Sequence, residues 1–257
     1  MCRLLCIFLC CFSVAAAQDL AAYEKHFYNA PELVLPYRYL RPITLDSNKA
    51  YPLIIFLHGA LQKGFDNEAQ LRTGARYFLR DSIRNNYPAF VLFPQCPQAD
   101  LWAYFENKAG DEDGMKFPFP KKPTEASAVL MKLVDSLVKR DRIDASRIYI
   151  GGLSQGGMGV LDLLARFPER FAAGFSICGA GNVSTAKRFA GKSALWLFHG
   201  SDDDVIPVNY SRRYYKFLQN AGSDVRYSEY PGVLHDSWNN AFGEADLMRW
   251  IFSKNRN

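Results

Sequence analysis

Short apolar runs alternate with amphipathic or polar stretches along most of the chain. The runs are YPLIIFLHG (51–59), AFVLFPQCP (89–97), RIYIGG (147–152), FAAGFSICGAG (171–181), ALWLFHGSDD (194–203) and VRYSEYPG (225–232). Their apolar residues are mostly consecutive rather than alternating, as in strands covered on both faces. Each run meets a Gly- or Pro-containing turn. This rhythm predicts an α/β domain with a mostly parallel central sheet and helices on both faces.

Ahead of the first run, LVLPYRYLRPITL (33–45) reads as antiparallel strand material. Thr124 is placed to cap a helix through TEASAVLMKLVDSLVKRDR, where Val129, Leu130, Leu133, Val134, Leu137 and Val138 recur on one face. A second helix starts at Ser154 and runs to about Arg166, stopped by Pro168. The long connection QADLWAYFENKAGDEDGMKFPFPKKP (98–123) carries Trp102, Tyr104, Phe105, Phe117 and Phe119. Loops of this length in a compact domain have a purpose, and two remain open: covering a sheet edge, or walling a substrate pocket.

No internal linker interrupts the 257 residues, of which 49% are hydrophobic and 14% aromatic, so residues 18–257 are expected to form one domain. The opening MCRLLCIFLCCFSVAAA (1–17) has one early cation, an apolar run and small residues at Ala15 and Ala17. It reads as a signal peptide cleaved after Ala17, implying a secreted or periplasmic protein with no stable membrane association after cleavage. Four of the six cysteines leave with it, so Cys96 and Cys178 remain and are expected to be free thiols. Arg3 is the only charged residue of the leader, so the formal charge falls from +5 to +4. That balance is too mild to imply nucleic acid or membrane partners.

Candidate chemistry centres on GGLSQGG (151–157), a serine among four glycines between a strand and a helix. The bland account is a glycine-rich turn with a capping serine. The setting is also that of a nucleophile elbow, with Gly152 and Gly156 relieving the crowding around Ser154. A serine needs a base, normally a histidine oriented by a carboxylate. The four histidines are His26, His58, His199 and His235, and only the last two follow Ser154. His199 ends its own strand upstream of the acidic cluster, so the order serine, acid, histidine selects His235. Asp202, Asp203 and Asp204 all stand where the acid belongs, and spacing does not choose among them. The turn HGALQKG (58–64) offers the Ala60 amide as one oxyanion donor and the helix N-terminus offers that of Gln155, while His58 reads as structural. No H-E-x-x-H or close ligand cluster suggests a metal, no nucleotide-binding glycine motif is in place, and no cofactor is required.

Taken together, YPLIIFLHGA, FDNEAQL, VLFPQCP with Trp102, IDASRIYIGGLSQGGMG, FSICGAGN, LWLFHGSDDDVIPV and EYPGVLHDSWNNAF resemble the α/β-hydrolase superfamily, in its phospholipase/carboxylesterase-like branch of secreted bacterial esterases and "predicted peptidases". The resemblance runs from about Leu35 to the C-terminus. It implies that the acid, three residues after Gly200 and four before Pro207, is Asp203. It likewise implies Ser154 as nucleophile, His235 as base and the Ala60 and Gln155 amides as oxyanion donors. Trp102 and Trp238 become candidate substrate-binding residues. Relatives read HGAGERG in the oxyanion turn, whereas here Leu61, Gln62 and Lys63 replace Gly, Glu and Arg. The expected activity is hydrolysis of small-molecule or polysaccharide-linked carboxylic esters, feruloyl and acetyl esters among them. A serine peptidase with the same triad and a non-catalytic binding protein on this fold are the rivals.

Overall fold

An antiparallel pair, β1 (Glu24–Asn29) and β2 (Val34–Leu40), leads into the strands β3 (Tyr51–Leu57) and β4 (Phe90–Pro94). Two short strands, β5 (Glu106–Asn107) and β6 (Met115–Lys116), pair with each other outside the main sheet. β7 (Ile143–Leu153), β8 (Ala173–Ile177), β9 (Ala194–Gly200) and β10 (Val225–Tyr230) complete an eight-stranded sheet of order β1-β2-β4-β3-β7-β8-β9-β10. β2 pairs antiparallel with β4, and from β4 to β10 the pairing is parallel throughout. The computed structural model describes residues 20–107 and 114–256, and the expected leader lies outside them. Among the described residues no helix is long and apolar enough to cross a membrane.

Every residue of β3, β4, β8 and β9 is buried, as their unbroken apolar runs require. β1 is different: EKHFYN alternates half-buried with exposed, the pattern of an edge strand with one solvated face. β7 begins at Ile143, four residues before the expected start. The register slips between Tyr51 and Leu53, which lets the polar IDAS segment join the ladder.

The helices are α1 (Ala75–Leu79), α2 (Asp81–Asn86), α3 (Glu125–Arg140), α4 (Gln155–Arg166), α5 (Asn209–Asn220), α6 (Trp238–Ala241) and α7 (Leu247–Phe252). On one face of the sheet, α3, α4 and α5 enclose a core that includes Leu130, Val134, Leu164 and Tyr214. On the other, α1, α6 and α7 enclose Phe78, Phe175, Trp196 and Trp250. The Thr124 hydroxyl accepts the Ser127 amide at 3.3 Å and caps α3. The α3 residues Val129, Leu130, Leu133, Val134 and Leu137 are all buried; truncating a fully enclosed leucine such as Leu130 to alanine costs about 2–5 kcal/mol. The connections following β3, β7, β9 and β10 emerge at the carboxyl edge of the parallel strands, where open α/β sheets build their sites.

Candidate active site

Ser154 joins β7 to α4 with φ 53° and ψ −120°, a conformation that costs a residue with a side chain about 1–3 kcal/mol. Tight packing of the turn holds it there. The Ser154 amide donates to the Ile177 carbonyl at 2.8 Å. A Cβ on Gly156 would lie 2.0 Å from the Leu57 carbonyl oxygen, so only glycine lets the start of α4 pass this close to the end of β3.

Two further loops close on this serine. His235 Nε2 lies 2.9 Å from Ser154 Oγ, and Nδ1 lies 2.8 Å and 3.0 Å from the Asp203 carboxylate oxygens. A carboxylate only accepts, so Nδ1 carries the proton and Nε2 is left to receive that of the serine hydroxyl. The Asp203 side chain is fully buried. Burial pushes its pKa up, but hydrogen bonds from His199, His235 and the Ile206 amide outweigh this and hold the carboxyl well below its usual range. Asp202 is exposed and accepts the Ser201 hydroxyl instead, and Asp204 is exposed on the cleft rim. Of the three aspartates, Asp203 is thus the one brought to His235.

The turn after β3 is set by His58. Its Nδ1 lies 2.7 Å from the Gly59 carbonyl oxygen, and its Nε2 accepts the Cys96 amide at 2.9 Å. Nδ1 therefore donates to the Gly59 carbonyl, and burial pushes the imidazole pKa down to about 4. In a trans peptide the next N–H points opposite to that carbonyl. The amide of Ala60 is thereby turned away from His58, and Ala60 lines the same cleft as Ser154 and Gln155. Gln155 is the first residue of α4, where helical amides lack an intrahelical acceptor. Two amides of this kind beside a serine hydroxyl are suited to a developing oxyanion.

The cleft over Ser154 has a volume near 530 Å³ and is open to solvent. Phe105, Met115, Met158, Val205 and Ile206 form its apolar walls, with Asn107 and Asp204 among its polar ones. Residues 41–247 match the phospholipase/carboxylesterase family. The chain belongs to that family of α/β-hydrolases. Acyl-protein thioesterase 1 of Gibberella zeae is 24% identical over 207 aligned positions, with 72% of this hydrolase and 83% of the relative covered. A thermostable esterase superposes with a TM-score of 0.83 at 34% identity over 92% of the hydrolase, which spans 64% of that longer chain. The CE1 ferulic acid esterase of Anaeromyces mucronatus shares the fold, with a TM-score of 0.65 at 14% identity over 90% of each chain.

One expectation for the hydrolase is corrected. Trp102 is fully buried and does not line the cleft. Its ring stands edge-on to His58 at 5.4 Å, and a Cβ on Gly159 would come within 2.6 Å of its own Cβ, so α4 sits directly on it. Trp238, the other candidate, is half-buried and stands edge-on to His235 at 5.9 Å, packed beside the loop that carries the imidazole. Of the two purposes the sequence leaves open for the loop that carries Trp102, the structure favours the wall: Phe105 and Met115 line the cleft, while Phe119 packs against the core. Met158, one turn after Ser154 on α4, also walls the cleft and was not singled out from the sequence, where the i+4 spacing from Ser154 is its one signal.

Among the described residues, Cys178, Asp203 and His235 place ligand-type atoms within 4.8 Å of one another. Burial pushes the Cys178 thiol far up, and a protonated thiol is a poor ligand. Cys96 and Cys178 are both free and buried.

Proposed function

We propose that the protein hydrolyses carboxylic esters by nucleophilic catalysis at Ser154. The observation that carries this reading is His235 bridging Asp203 and Ser154 at hydrogen-bond distance beside an open apolar cleft. In the first half-reaction His235 Nε2 takes the hydroxyl proton as Oγ adds to the ester carbonyl. The amides of Ala60 and Gln155 receive the oxyanion, and Asp203 stabilises the imidazolium. Collapse of the intermediate expels the alcohol, which takes the proton from Nε2. Water then repeats the sequence on the acyl-serine, releasing the acid and restoring the hydroxyl.

The apolar walls suit a short or aryl acyl group, and feruloyl or acetyl esters of plant polysaccharide are the proposed substrates. Phe105 supplies an aromatic face within the cleft, and a ferulic acid esterase shares the fold. Residues 1–17 are proposed to direct export, a reading supported by their cation, apolar run and small residues; N-terminal sequencing of the exported protein beginning at Gln18 is the expected result.

The test is turnover of p-nitrophenyl acetate and butyrate, methyl ferulate, acetylated xylan and peptide amides by the wild type and Ser154→Ala. Ester turnover that vanishes in the variant while the circular dichroism spectrum is retained is expected. Substantial residual turnover by pure variant would overturn the serine, and preference for the amides would favour a peptidase.

A further inference from the structure

His199 precedes the acid in sequence, out of order for the base, yet the structure gives it a definite place. It is the penultimate residue of β9, fully buried, and both its ring nitrogens are engaged. Nε2 lies 2.9 Å from the Ile206 carbonyl oxygen and 3.2 Å from Oδ2 of Asp203. Nδ1 lies 2.8 Å from the Ser211 hydroxyl on α5. Both neighbours of Nε2 are acceptors, so Nε2 bears the hydrogen, and the Ser211 hydroxyl donates to Nδ1. The tautomer is fixed by its surroundings, just as that of His235 is.

The consequence falls on Asp203. Its Oδ1 accepts the amides of Val205 and Ile206 at 3.0 Å and 2.8 Å, which pins one oxygen to its own turn. Oδ2 receives His235 Nδ1 at 2.8 Å on one side and His199 Nε2 at 3.2 Å on the other. Without the second imidazole, Oδ2 would be held only by His235, the group that the carboxylate has to aim. Resting on the assignment of Ser154 as nucleophile, we infer that His199 is a positioning residue: it holds the Asp203 carboxylate in the plane from which Oδ2 takes the His235 Nδ1–H. A residue that acts this way never meets substrate, and its effect reaches the reaction through the aim of His235.

The ionisable groups around His199 come from three elements. Asp203 approaches from its own loop, with His235 beyond it, and Glu229 lies opposite on β10 in register with His199. Glu229 is committed to Arg212 through bonds of 2.6 Å and 2.9 Å. Asp203 is therefore the carboxylate in contact with the imidazole.

Two amides separate positioning from space-filling. The terminal nitrogen of Gln at this position overlays Nε2, whereas that of Asn reaches only as far as Nδ1. His199→Gln is expected to keep kcat near wild type and leave the acid limb of kcat/KM in place. His199→Asn is expected to lower kcat about 10- to 100-fold with little change in KM, the scale of a misaimed catalytic group. Its acid limb should also move up, because Oδ2 then gives its charge to His235 alone. Labelling of wild-type Ser154 by a p-nitrophenyl phosphonate is run alongside. No labelling would mean that the nucleophile is misassigned. Labelling with Asn and Gln variants that behave alike, whether both active or both impaired, would overturn the role of His199 alone.

Discussion

Gly200 lies directly beneath Val233: a Cβ on Gly200 would come within 2.1 Å of the Val233 carbonyl oxygen and 2.6 Å of that of Leu234. The segment leading to His235 thus crosses the end of β9 in contact with bare backbone. The Asp202 amide donates to the Val233 carbonyl at 3.1 Å and ties the two loops together. Gly200→Ala should push this segment outward by an ångström or so and carry His235 off Ser154. We expect kcat to fall about 100-fold. Kinetics together with a melting curve check this; wild-type kcat in the variant would show that the crossing does not set the position of His235.

The three consecutive aspartates should separate cleanly. Asp203→Asn is expected to lower kcat by about 10³-fold or more, because the amide reverses the donor and acceptor pattern that fixes the His235 tautomer. Asp202→Asn and Asp204→Asn should leave kcat nearly unchanged, since neither carboxylate reaches His235. Steady-state kinetics of the three variants with one activated ester decides it, and equal losses would refute the assignment.

His58 predicts a pH dependence of stability. The folded protein holds the imidazole neutral down to about pH 4, against an ordinary value of 6.5, through burial. Between these values the unfolded chain binds the proton and the folded one does not. The contribution is complete above pH 6.5 and is lost as pH falls towards 4, amounting to about 3 kcal/mol. Urea unfolding at pH 7 and pH 4 should show this loss in the wild type and a correspondingly smaller one in His58→Asn. An unchanged difference would contradict the assignment.

Much of this architecture was legible because it is written locally. The strands β3, β4, β8 and β9 announce themselves as unbroken apolar runs, and the elbow announces itself because a turn that tight admits only glycine at position 156. β1 was missed because an edge strand such as EKHFYN has no apolar run to show. Trp102 was misplaced for another reason: an aromatic loop residue can face either way, and what draws it inward is the absence of a side chain on Gly159, 57 positions later in the sequence. His199 was passed over because Ser211, Ile206 and Asp203 converge on it only once α5 has packed against β9.

The backbone of Ser154 has a consequence for the protein as a whole. Its φ of 53° and ψ of −120° belong to a region in which glycine alone is comfortable. The residue that the chemistry demands is therefore not the one the chain would choose for its own durability. Ser154→Gly should be inert yet melt higher than Ser154→Ala, which keeps the Cβ and its strain, by an amount equivalent to about 1 kcal/mol. Differential scanning calorimetry of the two inactive variants measures that margin, and with it the toughness that the protein forgoes at this position to remain reactive.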